Sequence, residues 1–260
     1  MNQLHVYVGF DSTNYCQELA YEVCCRSILS NCKTNKPIIS KLEKKKLIDQ
    51  GLFWREDQTG VTEFTYTRFL VPYLQNYQGW ALFCDSDFLW CCDINEILAC
   101  IEQNNISNNI SNNISSNKAV YCVKHQYVGC HGSTKMDGRP QEFYPRKNWS
   151  SLMLFNCNHP STKSLTPETV SSASPAWLHR MQWAKDDEIG ELDKSYNYLV
   201  NYYHNGIYNA LHFTDGGPWH PGYENVQYGD QWLKYLTEEE SEKMVACRNE
   251  LKSKMHIYYE

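Results

Sequence analysis

The stretch that most restricts the fold is Trp80-Ala81-Leu82-Phe83-Cys84, a fully apolar run followed at once by Asp85-Ser86-Asp87. A strand this apolar needs both faces covered, as in the middle of a sheet with helices on either side. Phe88-Leu89-Trp90 comes next, so two carboxylates one residue apart lie between segments that belong in a core. A solvent-facing turn rarely has such flanks. The fold must deliver that acidic pair at the end of a buried strand.

The remaining pattern supplies neighbours for such a strand. Leu4 to Val8, with Phe10 close behind, predicts a buried strand broken by Gly9 and Asp11. Tyr15 to Leu29 carries Leu19, Val23 and Ile28 at helical spacing. Pro37 to Ser40 reads as a strand, and Lys41 to Gln50 as a helix with a solvated lysine-rich face, ending at Gly51. Thr65 to Leu74 reads as a helix with Pro72 late in it. Ala119 to Val123, Ser151 to Asn156, Tyr196 to Tyr203 and Leu211 to Phe213 read as strands. Leu178 to Trp183 and Asp230 to Lys254 read as helical. Strands alternating with helices predict an α/β fold with a mainly parallel central sheet, flanked by helices and Rossmann-like in its nucleotide-binding half. Such sheets bind ligands beyond the carboxyl ends of their strands, where Asp11, Asp85 and Asp87 fall.

A length of 260 residues suits one such domain over 1–260. Residues 104–117 are an Asn/Ser/Ile repeat and read as an exposed insertion of low complexity. His131 to Lys147 reads as a long loop, of a length often tied to function.

The net charge of -6 leaves no basic footprint for a nucleic-acid partner. No apolar run reaches the length of a membrane span, and Met1 to Val8 lacks the form of a signal peptide. The twelve cysteines contain no Cys-x-x-Cys, so zinc spacing is absent, and reduced thiols in a cytoplasmic protein are the simplest account. The sequons at Asn105, Asn109, Asn113 and Asn148 carry weight only in a secreted chain. Aromatic residues make up 14% of the chain, enough for sugar-stacking platforms but equally suited to filling a core.

Two carboxylates spaced as Asp85 and Asp87 can share one divalent cation. Hard oxygen ligands suit Mg²⁺ or Mn²⁺, which keep positions open for phosphate oxygens. A cation so placed neutralises charge on a departing diphosphate.

Five segments, in order, resemble the family 8-type, glycogenin-like glycosyltransferases of the GT-A fold. They are Val6-Tyr7-Val8-Gly9-Phe10-Asp11, Tyr66-Thr67-Arg68-Phe69-Leu70-Val71-Pro72, Trp80 to Leu98, Ser150 to Asn156, and His212-Phe213-Thr214-Asp215-Gly216-Gly217-Pro218-Trp219. The resemblance implies a donor that is a nucleoside diphosphate sugar, UDP-linked first, and a carbohydrate or glycoconjugate acceptor. It implies Asp85, Asp87 and His212 as metal ligands. Asp11 then lies near the base or ribose, and Arg68 reaches the diphosphate or pairs with an acidic neighbour. Ser86, Gly216 and Gly217 fall in the donor-binding motifs, and Asp187-Glu188 resembles the Asp-Gln pair beneath the donor sugar. Retention of anomeric configuration follows from the same likeness; an inverting enzyme would need a base, with Asp187, Glu188 and Asp215 available.

Two departures from the family pattern stand out. Relatives carry a Lys before the Pro-Trp where this chain has Gly217, so the phosphate-facing charge has to come from Lys135, Arg139, Arg146 or Lys147. Trp149-Ser150-Ser151 replaces an Asn-x-Gly before the donor-side strand. Among rivals, a nucleotidyltransferase acting on sugar phosphates calls for a Gly-rich basic loop, which Gly9-Phe10-Asp11-Ser12 is not. A glycosidase would use paired carboxylates around the sugar. A non-catalytic carbohydrate-binding protein has no need of all three candidate ligands.

Overall fold

The computed structural model describes residues 3–55, 62–107, 117–126 and 145–256. Its strands are β1 (His5–Phe10), β2 (Ile38–Glu43), β3 (Trp80–Cys84), β4 (Phe88–Trp90), β5 (Val120–Cys122), β6 (Leu152–Asn156), β7 (Ile189–Glu191), β8 (Tyr198–Leu199) and β9 (Ala210–His212). Its helices are α1 (Tyr15–Asn31), α2 (Lys44–Asp49), α3 (Val71–Leu74), α4 (Glu96–Ser107), α5 (Pro167–Ser172), α6 (Pro175–His179), α7 (Gly229–Leu233) and α8 (Glu238–His256).

Six strands form one sheet in the order β2-β1-β3-β6-β5-β7. All run the same way except β6, which is antiparallel to both β3 and β5. The mainly parallel α/β sheet expected from the sequence is therefore present. Both of its faces are covered, and the side chains sort with a period of two. Tyr7, Ala81, Phe83, Val120, Met153 and Phe155 join the core on one face. Val6, Val8, Leu82, Cys84, Leu152 and Leu154 join the core on the other, with Tyr21, Cys24 and Ile28 of α1. A smaller sheet, β4-β9-β8, packs its own core against Leu19 and Val23 of α1 and Met244 of α8.

Several elements differ from the sequence expectation, each for a physical reason. Lys41 to Glu43 is strand, because those residues pair with Val8, Gly9 and Phe10, and the helix begins only at Lys44. The Thr65–Leu74 segment is a 3-10 turn over Thr67–Leu70 followed by α3, in whose first turn Pro72 is tolerated. The helix placed over Leu178 to Trp183 starts earlier, at Pro175, where the Ser174 side chain caps it, and it ends before Met181 takes a φ of 51°. Tyr196 to Tyr203 is strand only at Tyr198–Leu199. The insertion begins helical, since α4 runs to Ser107; the rest of it, 108–116, lies outside the described residues.

Candidate metal centre

β3 ends at Cys84, and the Asp85 amide continues its pairing by donating to Ser151 O at 2.9 Å. The next two residues turn, and β4 begins at Phe88, opposite His212 of β9. Phe213 N donates to Asp87 O at 3.0 Å, extending this ladder. The pairing brings a residue 125 positions further along the chain against the acidic motif. Asp85, Asp87 and His212 each offer a ligand atom, and these atoms all lie within 4.8 Å of one another.

Each group is held by its surroundings. Arg68, buried, places Nη1 2.8 Å from Asp85 Oδ1 and donates to Ser150 O at 2.9 Å. Its guanidinium lies over the rings of Phe64 and Phe83. His212 stacks on Phe88 with ring centroids 4.4 Å apart, and its Nδ1 lies 2.8 Å from Asn197 Oδ1. Asn197 in turn donates from Nδ2 to Ser151 Oγ at 2.9 Å, and Ser151 Oγ donates to Asn148 O at 2.7 Å. This chain fixes the amide of Asn197 with its oxygen toward the ring. Nδ1 then carries the proton, and Nε2, 3.4 Å from Asp87 Oδ1, presents its lone pair to the cluster.

Asp85 Oδ1 and Asp87 Oδ1 are both buried; Arg68 Nη1 stands 2.8 Å from the first and His212 Nε2 3.4 Å from the second. Two buried carboxylates side by side are costly unless positive charge compensates both, and one guanidinium offsets only one of them. Two such groups facing an imidazole lone pair fit a divalent cation. Burial pushes the Asp85 carboxyl up to about 7; Asp87 adds to the rise and Arg68 opposes it. Burial acts in the same sense on Asp87, but His212, a backbone amide and Arg68 together outweigh it and hold that carboxyl below its usual range.

The other expected residues divide by position. Asp11 follows β1 at the same sheet edge and is buried, with Oδ1 accepting from Thr13 N at 3.0 Å. Ser86 is buried between the two acids. Arg68 pairs with Asp85 and so takes the second of its two expected places. Gly216 has a φ of 147° and packs on Tyr223. A Cβ on Gly217 would lie 1.9 Å from the Trp219 ring, so no longer side chain fits there without moving a buried tryptophan. The missing Lys thus has a packing cause. Lys135 and Arg139 lie outside the described residues. Arg146 is directed away from the cluster, to Asp186 Oδ1 and Arg180 O, each at 2.5 Å.

Asp187 and Glu188 are not brought to the cluster. Glu188 O accepts from Ala119 N, at the start of β5, and its carboxylate accepts from Ser161 Oγ at 2.7 Å. Both acids precede β7 at the amino edge of the sheet, about 20 Å from Asp85 by strand spacing. A position beneath the donor sugar does not fit that placement. Residues 193–197, which follow β7 at its carboxyl end, face the cluster instead and contribute Asn197. Sequence reasoning missed Asn197, because a single polar residue between Tyr196 and Tyr198 carries no spacing signal.

Solved structures share this architecture. The bifunctional glycosyltransferase WbbM superposes with a TM-score of 0.55 at 17% identity, over 92% of this chain and 51% of that one. The glycosyltransferase GlyE of Streptococcus pneumoniae TIGR4 gives 0.53 at 11% identity, over 98% and 64%. The galactosyltransferase LgtC, solved with donor and acceptor sugar analogs, gives 0.51 at 11% identity, over 93% and 100%. The chain thus spans about half of WbbM and 64% of GlyE. At such identities the likeness is one of fold, and the fold is GT-A. No family model matches the chain. It belongs to the family of Protein CDI of Arabidopsis thaliana, which is 39% identical over 243 residues, 90% of this chain and 86% of that protein. Among the described residues no helix is long and apolar enough to cross a membrane.

Proposed function

We propose that the chain is a metal-dependent glycosyltransferase, of family 8 type, acting as one GT-A unit over 1–260. It moves a sugar from a nucleoside diphosphate donor, UDP-linked first, to a hydroxyl of a carbohydrate or glycoconjugate. The observation that carries this reading is the buried convergence of Asp85, Asp87 and His212, whose candidate ligand atoms lie within 4.8 Å of one another on a GT-A fold. Asp85, Asp87 and His212 would hold the cation, and an imidazole ligand favours Mn²⁺ over Mg²⁺. When bound, the cation supplies charge neutralisation for the diphosphate.

In the transfer, the bond from the anomeric carbon to the diphosphate oxygen breaks and its electron pair leaves with the diphosphate. The acceptor oxygen bonds to that carbon, and the hydroxyl proton passes to the departing diphosphate. This proton route needs no carboxylate base and accords with retention. The protein's part is to orient ligands: Arg68 fixes Asp85, and Asn197 fixes His212. Asp11 would lie near the base or ribose.

Thermal melting with Mn²⁺ and nucleotides tests the reading. Mn²⁺ plus UDP, or failing that GDP, at about a hundred times its dissociation constant should stabilise the fold by roughly 2.7 kcal/mol. Absence of any shift with Mn²⁺ or Mg²⁺ and either nucleotide would overturn it.

A further inference from the structure

His125 follows β5 at the carboxyl edge of the sheet and is 7% exposed. Its ring is fixed from several sides. Nδ1 lies 2.6 Å from Tyr203 Oη, the backbone N–H donates to Val123 O at 3.0 Å, and the carbonyl accepts from Trp149 Nε1 at 3.2 Å. Nε2 is buried and has no well-directed hydrogen-bond partner among the described residues, although the Asn197 side chain is close enough to act on the ring. A buried ring nitrogen without a well-directed hydrogen bond is costly, so a group kept in that state calls for a reason.

We propose that His125 Nε2 binds a hydroxyl of the transferred or the accepting sugar, beside the metal cluster. The inference rests on the transferase reading and adds a specificity-determining residue to it. Asn197, which holds His212, and His212 itself both lie near enough to act on the His125 ring. A ligand at Nε2 is therefore next to the proposed site of transfer. Burial, with His212 adding to the effect, lowers the imidazole pKa to about 3, so the ring is uncharged at neutral pH. An uncharged ring offers little to a diphosphate. If Tyr203 donates to Nδ1, Nε2 carries a proton and donates; if Nδ1 donates to Tyr203, Nε2 accepts. A sugar hydroxyl both donates and accepts, and so satisfies either tautomer.

The test measures affinity for Mn²⁺–UDP and for Mn²⁺–UDP-glucose, UDP-galactose and UDP-xylose in the wild type and in His125→Phe. It also follows hydrolysis of the bound UDP-sugar and its transfer to a panel of methyl glycosides. The variant should keep Mn²⁺–UDP affinity within about twofold, since no diphosphate contact is removed. If the hydroxyl is the donor's, UDP-sugar affinity falls by roughly tenfold, the worth of one neutral hydrogen bond. If it is the acceptor's, UDP-sugar affinity and hydrolysis hold while KM for the methyl glycoside rises by a similar factor. His125→Gln, which keeps a polar group, should recover part of either loss, and it replaces the Phe variant should that one fail to fold. Equal loss of Mn²⁺–UDP and UDP-sugar affinity would mean that His125 acts only through Asn197, and would overturn the proposal. So would unchanged values throughout. Wild-type protein that binds no nucleotide sinks the transferase reading itself, which the variants play no part in.

Discussion

The Phe213 amide donates to the Asp87 carbonyl at 3.0 Å, and this bond sets where His212 stands relative to Asp87. With Phe88 opposite His212 in the same ladder, a shift of one residue would turn the imidazole to the other face of the small sheet. Three candidate ligand atoms therefore depend on one strand register.

Removal of single ligands should reveal one shared ion. Asp85→Asn, Asp87→Asn and His212→Ala should each abolish Mn²⁺-dependent nucleotide binding, and double variants should be no worse than single ones. Calorimetric titration of Mn²⁺ checks this. A His212→Ala protein with normal Mn²⁺ affinity would take His212 out of the ligand set.

Asn197→Ala should weaken Mn²⁺ binding by about 10–100-fold, although Asn197 touches no ligand position of the ion. The amide oxygen sets the His212 tautomer, so imidazole nitrogen NMR shifts should show Nε2 becoming protonated in part of the population. A variant that loses stability but keeps both the tautomer and Mn²⁺ affinity would reduce Asn197 to a packing role.

Acidity should act on metal and fold in opposite senses. Asp85 must ionise to serve as a ligand, and its carboxyl is raised to about 7. Mn²⁺ affinity should fall below about pH 7 and approach tenfold per pH unit further down. A carboxyl raised in the folded state binds its proton more tightly there than in the unfolded chain. Metal-free protein should therefore gain stability from this group as pH drops from about 7 toward the ordinary Asp value near 4. Melting curves of wild type and Asp85→Asn, without metal, isolate the contribution: the difference between them should shrink as pH falls across that window. A pH-independent difference would remove Asp85 as its source.

Gly217→Ala should destabilise the fold by about 1–3 kcal/mol through overpacking against Trp219. Gly217→Lys should be at least as damaging and should bring no gain in nucleotide affinity. A stable Lys variant with tighter UDP binding would show that Trp219 yields and that the site accepts the charge.

Much of this architecture is legible in the sequence, for definite reasons. Trp80–Cys84 and Leu4–Val8 announce buried strands because a two-sided interior leaves no polar position in them. The Asp85/Asp87 pair is legible from its apolar brackets, and His212 from the motif around it. Lys41 to Glu43 misleads because its side chains favour a helix while its backbone is held by β1. Asp187 and Glu188 mislead because a run of acids resembles a functional pair, whereas residues 193–197 carry the turn that reaches the cluster. Asn197 is hidden because its role depends on two hydrogen bonds, to Ser151 and His212, that only the fold brings within reach.

The reversed strand β6 has a consequence for how this family can vary. Residues 127–144 connect the carboxyl end of β5 to the start of β6, and both attachment points stand at the edge that bears Asp85 and Asp87. Residues 108–116 connect α4 to the start of β5, at the opposite edge. These two connections are therefore not equivalent. A change in the first acts at the edge that bears the acidic pair, whereas the same change in the second acts at the edge away from it. Divergence in substrate choice among relatives of this chain should be recorded in the first segment and absent from the second.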